Sequence, residues 1–375
     1  MVNKERMLDE YRTLVSFDSE SFHEKIIAAY LYDRLSELGL SVSSDDAGSL
    51  LSAGEDSAGN IYGFLKGNAK GEPILLAAHM DTVAPGRGKK LVRHADGRLT
   101  SDGTTVLGAD DVSGLCVILE TLSVIKANCL PHPDIEVVFF VAEEPYCRGS
   151  AVFDYSKVRS KYAYVFDLDK EIGTIAISAP TILQFKAEFK GVSAHAGFEP
   201  EKGVSAIAAA ARAVTKIRTG RLDDSTTANI GLFNGGTGKN VVPGSAVVEG
   251  EVRSSSDERA REVAASIGRA FREAAEEEGA NVVFSTQKMI KAYSLSPDSE
   301  VVKRYERAVK EAGISHFCTV PTFGGSDANS LNEHGIDAVV VSNAMHNVHT
   351  TLEYLWEDEL VSCAEIAVKL GTGAF

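Results

Sequence analysis

Five stretches of this 375-residue chain set an acid or an imidazole at or just beyond an apolar, strand-like run: His79-Met80-Asp81, Asp110-Asp111, Glu143-Glu144, Asp167 and His349. One imidazole and one terminal carboxylate for each ion, with a further carboxylate shared, can hold two divalent cations about 3.5–4 Å apart around a water. The chain supplies that complement, and the chemistry it suits is metal-assisted hydrolysis.

Taken singly, each signal has a plainer reading. His79 and Asp81 stand two apart at a strand end, where side chains i and i+2 point to one side, so one can ligate while the other orients it. A lone His-x-Asp is more often a surface turn. Asp110-Asp111 lie just before a helix expected to begin near Ser113, where acids also serve as N-caps and favour the positive end of the dipole. Asp111 can be no more than that, whereas Asp110 follows a Gly-Ala turn that lets the backbone approach closely, as a bridging carboxylate requires.

Glu143-Glu144 follow Val137 to Val141 and are expected to face opposite ways at the sheet edge. Two adjacent buried acids repel unless a cation or proton separates them, which suits one as ligand and the other as handler of a water's proton. Asp167 and Asp169 leave the Tyr164-Val165-Phe166 run on the same side. His349 has His346 as a rival ligand, and a lone histidine is usually structural.

Positioning these residues requires an α/β architecture. Between residues 73 and 167, continuous apolar runs at 73–78, 135–141 and 162–166 alternate with helical periodicity over 113–127, as in a mostly parallel mixed sheet covered by helices on both faces. Ligands gather at the carboxyl ends of such strands. From about 181 to 287 the texture changes to strand, Ala-rich helix 204–217, strands 227–233 and 246–253, charged helix 257–278 and strand 281–285. That β-α-β-β-α-β order is the ferredoxin-like unit, able to fold as an insertion. The expected division is a catalytic domain in two parts, 1–179 and 289–375, with a lid or dimerisation domain, 180–288, inserted. The second part carries helix 300–312, the Gly324-Gly325-Ser326-Asp327 turn and strand 336–342.

A length of 375 residues exceeds what one core usually serves, which agrees with two domains. The net charge of −15 argues against nucleic acid or an anionic membrane as partner. The first residues lack the apolar core of a signal peptide, and no apolar stretch is long enough to span a bilayer, so a cytoplasmic location is expected. Five cysteines without a Cys-x-x-Cys pair read as buried free thiols; only Cys147, four residues past Glu143, is a candidate to lie near a reaction centre, and a packing role is its commoner reading.

In this order and these strand contexts, the motifs resemble the di-zinc peptidase family that includes aminoacylase, glutamate carboxypeptidase and peptidase T. The likeness is closest to peptidase T-like proteins through His79-Met80-Asp81-Thr82 and the run Asp102 to Asp111, with Ser193-Ala194-His195-Ala196-Gly197 and Glu199 to Gly203 in support. The resemblance implies a metallo-aminopeptidase of short peptides such as tripeptides, holding two Zn²⁺ per chain, for which Co²⁺ or Mn²⁺ can substitute, and assembling as a homodimer. It implies His79 and Asp167 at one ion, Glu144 and His349 at the other, Asp110 bridging, Glu143 as general base and Asp81 orienting His79. His195 would polarise the scissile carbonyl or its oxyanion, from its own or a partner chain. Asn240 and Arg253 would hold the substrate carboxylate, an expectation that for Arg also follows from its bidentate geometry. The alternatives are an N-acyl amino acid deacylase, a carboxypeptidase, or an idle metal-binding scaffold. Val112-Ser113 and Pro145-Tyr146-Cys147 depart from the family pattern beside the metal ligands.

Overall fold

The structure, a computed structural model, describes residues 1–373. Two compact units result: residues 1–178 together with 294 onward, and Ala179–Tyr293 between them.

The first unit is built on a mixed sheet with the neighbour order Ser41–Ser44, Ile61–Leu65, Ile135–Phe140, Ile74–His79, Tyr162–Leu168, Asp337–Ser342 and Thr174–Ala179. The four strands Ile135–Phe140, Ile74–His79, Tyr162–Leu168 and Asp337–Ser342 are mutually parallel, so their carboxyl ends share one edge. Every residue of Ile74–His79 and Ile135–Phe140 is buried, as a sheet covered on both faces demands. Glu136 is tolerated inside the second strand because the Arg159 and Ser160 backbone N–H groups donate to its carboxylate.

The covering helix Ala109–Ala127 is buried on nearly all sides, since it packs between the sheet and the helices Lys4–Val15 and Glu357–Thr372. Its regular part begins next to the expected Ser113, after an irregular opening at Ala109. Gly108 is left-handed at φ 78°, and Asp110 and Asp111 depart from helical angles, so regular helix follows a sharp turn that carries both aspartates. A helix the periodicity did not predict, Asp327–Glu333, begins at the expected glycine turn, where Ser326 and Asn329 form a capping box. His349 lies in the loop between strands Met345–His346 and Tyr354–Trp356, the second of which pairs with Arg98–Thr100.

In the second unit the strands run Gly220–Asp223, Thr226–Gly235, Ser245–Ser254, Thr181–Lys190, Asn281–Ile290, all antiparallel. Apart from the short first strand, this is the ferredoxin-like order. Helices Ala206–Thr215 and Asp257–Glu277 bury Ala206, Ala209, Ala210, Ala213 and Phe271 against Phe185, Phe189 and Phe284. Small residues on the first helix let it approach the sheet closely. The last strand extends to Ile290, beyond the expected 285, so this unit ends at Tyr293.

All five cysteines are free, but only Cys116, Cys147 and Cys363 are buried. Cys129 is exposed, because the chain turns outward there with φ 49° after the long helix ends. Among the described residues no helix is long and apolar enough to cross a membrane.

Candidate metal centre

Asp110 is the geometric centre of the site. Its Oδ1 lies 3.0 Å from His79 Nε2 and its Oδ2 lies 3.0 Å from His349 Nε2. His79 Nε2 also lies 3.9 Å from Asp167 Oδ1, and His349 Nε2 lies 3.0 Å from Glu144 Oε2. Two sets of potential ligand atoms, His79 with Asp110 and Glu144, and His79 with Glu143 and Asp167, each fall within 4.8 Å of one another. Five distant stretches of chain therefore meet at the shared strand edge.

Three backbone devices hold them. His79 Nδ1 is 2.9 Å from the Asp81 carbonyl, which leaves Nε2 to face the acids. The Asp81 carboxylate, 3.4 Å from that ring, chiefly accepts the N–H groups of Glu143 and Glu144 at 2.9 and 3.2 Å and the Ser21 hydroxyl at 2.7 Å. Asp81 thus orients both glutamates as well as the imidazole. The third device is the turn after Phe140, where Ala142 is left-handed at φ 48°. There the strand has ended, so the expected opposite facing of Glu143 and Glu144 does not occur, and both carboxylates enter the cluster.

The electrostatics show why a cation fits. Burial pushes the Glu143 and Asp167 carboxyls well above the usual carboxylate range, and neighbouring acids add to this. Glu144 is raised by burial and by Asp110. Burial also works against Asp110, yet hydrogen bonds from His349 and His79 keep it below its ordinary value. Hydrogen bonds that the protonated ring donates to Asp110 and Glu144 push His349 up to about 11. Glu144 Oε1 is buried without a hydrogen-bond partner. Four crowded carboxylates and two imidazoles that face them are relieved by divalent cations, and the mixed nitrogen and oxygen donors match such ions.

Other sequence candidates take different places. His346 Nε2 contacts Glu359 at 2.6 Å and stacks on Tyr354, so His349 alone joins the cluster. Asp169 sits 3.5 Å from Lys170 at the surface. Asp111 is more than a cap: Oδ2 accepts the His79 N–H at 3.2 Å, while Oδ1 accepts from Gly114 N–H and Asn343 Nδ2. In the second unit, His195 is exposed on the short strand Ala194–His195 and accepts the Gly197 and Phe198 N–H groups at Nδ1, each at 3.2 Å. That assigns its proton to Nε2. The Asn240 carbonyl accepts from Ala196 N–H, and Arg253 Nε donates to Glu251 at 2.6 Å.

Sequence reasoning missed two supports, Asn343 and Glu353, and one buried acid, Asp327. Asn343, at the end of strand Asp337–Ser342, donates to Asp111, to Ser113 Oγ and to the Phe166 carbonyl. Its position at a carboxyl strand end was the available signal. Glu353 and Asp327 are buried acids, each pushed up to about 7 by burial, with no spacing that marks them.

The chain is 37% identical over 370 residues to an uncharacterized protein, YqjE, of Bacillus subtilis strain 168, covering 99% of this chain and 98% of the relative. The aminopeptidase PepT structure from Bacillus cereus ATCC 10987 superposes with TM-score 0.89 at 36% identity, covering 99% of this chain and 98% of that one. A tripeptidase structure from Staphylococcus aureus Mu50 gives TM-score 0.93 at 32% identity with the same coverage. A peptidase dimerisation domain model matches residues 177–279, and a peptidase family M28 model matches 60–211. The chain belongs to the peptidase T-like metallopeptidases of family M20. The M28 match covers less than half of the chain, and the full-length relatives with the dimerisation domain decide between the two families.

In this peptidase T-like chain both departures from the family pattern are absorbed locally. Ser113 Oγ accepts from Asn343, and Cys147 Sγ lies 3.3 Å from Glu143 Oε1.

Proposed function

We propose that this chain is a di-zinc aminopeptidase that removes the first residue of short peptides, tripeptides above all. The observation that carries the reading is Asp110, whose two oxygens each meet a different imidazole, as a carboxylate shared between two cations must. Relatives described as aminopeptidase and tripeptidase support the substrate class.

Asp110 would be shared, with His79 and Asp167 completing one cation site and Glu144 and His349 the other. When bound, the ions supply Lewis-acid polarisation and acidify water. Glu143 accepts the proton of the attacking water and returns it to the leaving amine. Asp81 holds its backbone in place. His195 offers Nε2–H to the developing oxyanion, from its own chain or from a partner. Arg253 and Asn240 anchor the substrate carboxylate.

A homodimer is the assembly we assign. The dimerisation-domain match supports it, as does the strand Thr226–Gly235, which beyond residue 228 pairs only with Ser245–Ser254 among the described residues and exposes Leu232 and Phe233. Five free thiols suit a reducing cytoplasm.

The test uses chain stripped of metal and chain reloaded with Zn²⁺, assayed on free tripeptides, on N-acylated tripeptides and on N-acyl amino acids. Release of the first residue from free tripeptides by the zinc form alone is expected. Faster cleavage of N-acyl amino acids would assign the chain to deacylation instead.

A further inference from the structure

Glu353 has no part in the chemistry described above, yet it is 1% exposed and lies four residues beyond His349 in the same loop. Its two oxygens are spent on two backbone groups. Oε2 accepts the Gly108 N–H at 2.7 Å, and Oε1 accepts the Asp110 N–H at 3.0 Å. Both donors belong to the irregular turn that opens the helix Ala109–Ala127, where Gly108 is left-handed and Asp110 is out of helical geometry. Neither N–H has a helical acceptor at that position.

At the loop end, turn contacts tie Glu353 to His349. Glu353 N–H donates to the Thr350 carbonyl at 3.2 Å, Leu352 N–H to Thr350 Oγ1 at 3.2 Å, and Thr350 Oγ1 to the Asn347 carbonyl at 2.8 Å. The His349 side chain is 52% exposed and its backbone is left-handed at φ 63°, so core packing does not hold it. Beside the His349–Asp110 contact itself, the Glu353 carboxylate joins this loop to the backbone of the turn carrying Asp110.

We propose that Glu353 is a positioning residue that sets the distance between Asp110 and His349 and thereby builds the second cation site, the one completed by Glu144. This rests on the reading of Asp110 as the shared ligand. A glutamine at 353 keeps the size but offers one acceptor oxygen, and turns an amide N–H₂ toward a backbone donor. Supports of this kind change cation affinity by about 10- to 100-fold when lost. The effect falls on the His349 side, because His79 and Asp167 are held by their own strands and by Asp81 and Asn343.

The experiment is calorimetric titration of the metal-stripped full chain with Zn²⁺ for wild type, Glu353→Gln and Glu353→Asp, with thermal unfolding of each stripped form. In Glu353→Gln the first zinc should bind within about 3-fold of wild type while the second weakens about 10- to 100-fold; Glu353→Asp, which keeps both acceptors, should recover part of that loss. Equal weakening of both zincs, unchanged binding of both, or a stripped variant that no longer unfolds cooperatively would each overturn the proposal, the last by assigning Glu353 to the fold. Because the readout is zinc occupancy, failure here leaves the peptide assay standing, and failure of that assay leaves this result readable.

Discussion

At the scale of single residues, Glu143 and Glu144 are neighbours in sequence with different contacts. Glu144 contacts His349, whereas Glu143 receives the Cys147 thiol and stands near His79 and Asp167. Glu143→Ala should lower turnover at least about 100-fold, the scale of a lost general base, while elemental analysis still finds about two zincs per chain. Loss of zinc along with activity would mean that the two glutamates exchange roles. The residues that meet at Asp110 were legible because most stand close after an apolar run, and the sheet delivers such positions to one edge. Glu353, Asp111 and the backbone duty of Asp81 were not, since they act by accepting peptide N–H groups, which leaves no trace in residue spacing.

The same pairs set a pH response. His349 is raised to about 11 by Asp110 and Glu144, and Glu143 and Asp167 are raised by burial. Groups with a higher proton affinity in the folded state make folding more favourable at low pH. In EDTA the chain should therefore lose stability as pH rises, from about 4 upward through the raised carboxyls and from about 6.5 toward 11 through His349, measured by urea unfolding at several pH values. Zinc binding has the opposite sign, because a cation competes with those protons and its affinity rises with pH.

At the scale of elements, the site depends on close approaches that glycine alone permits. A Cβ on Gly114 would fall 2.4 Å from Asp111 Oδ1 and 2.7 Å from the Phe166 carbonyl. Gly114→Ala should therefore displace Asp111 from the His79 N–H, cost roughly 2–4 kcal/mol by overpacking and loss of buried hydrogen bonds, and weaken zinc binding as well. Denaturant unfolding and zinc titration of the same variant check both effects. The parallel strands and the two helices of the inserted unit were readable from hydrophobic periodicity, because burial on one or both faces writes it directly. The edge strands Ser41–Ser44 and Gly220–Asp223 are short and mostly exposed, so composition does not mark them. The helix at Asp327 is too short for a period to register, and only its capping residues announce it.

For the molecule as a whole, the outer edge of Thr226–Gly235, which beyond residue 228 has no partner strand among the described residues, bears the prediction. Leu232→Glu, at a position 56% exposed, should leave the monomer folded but shift sedimentation from dimer to monomer. A variant that sediments as wild type would move the interface elsewhere. The order of units in the sequence was visible from the change in texture near 180, while the edge that a partner would cover was not, since one chain does not display its own symmetry.

The crowding of acids around Asp110 reaches beyond turnover. Ions that relieve this repulsion bind the folded form selectively, so at 100 times their dissociation constant each contributes about 2.7 kcal/mol to folding. A cell starved of the cation this site takes would then hold a looser chain, open more often to proteases, and its supply of the enzyme would shrink together with its supply of the metal.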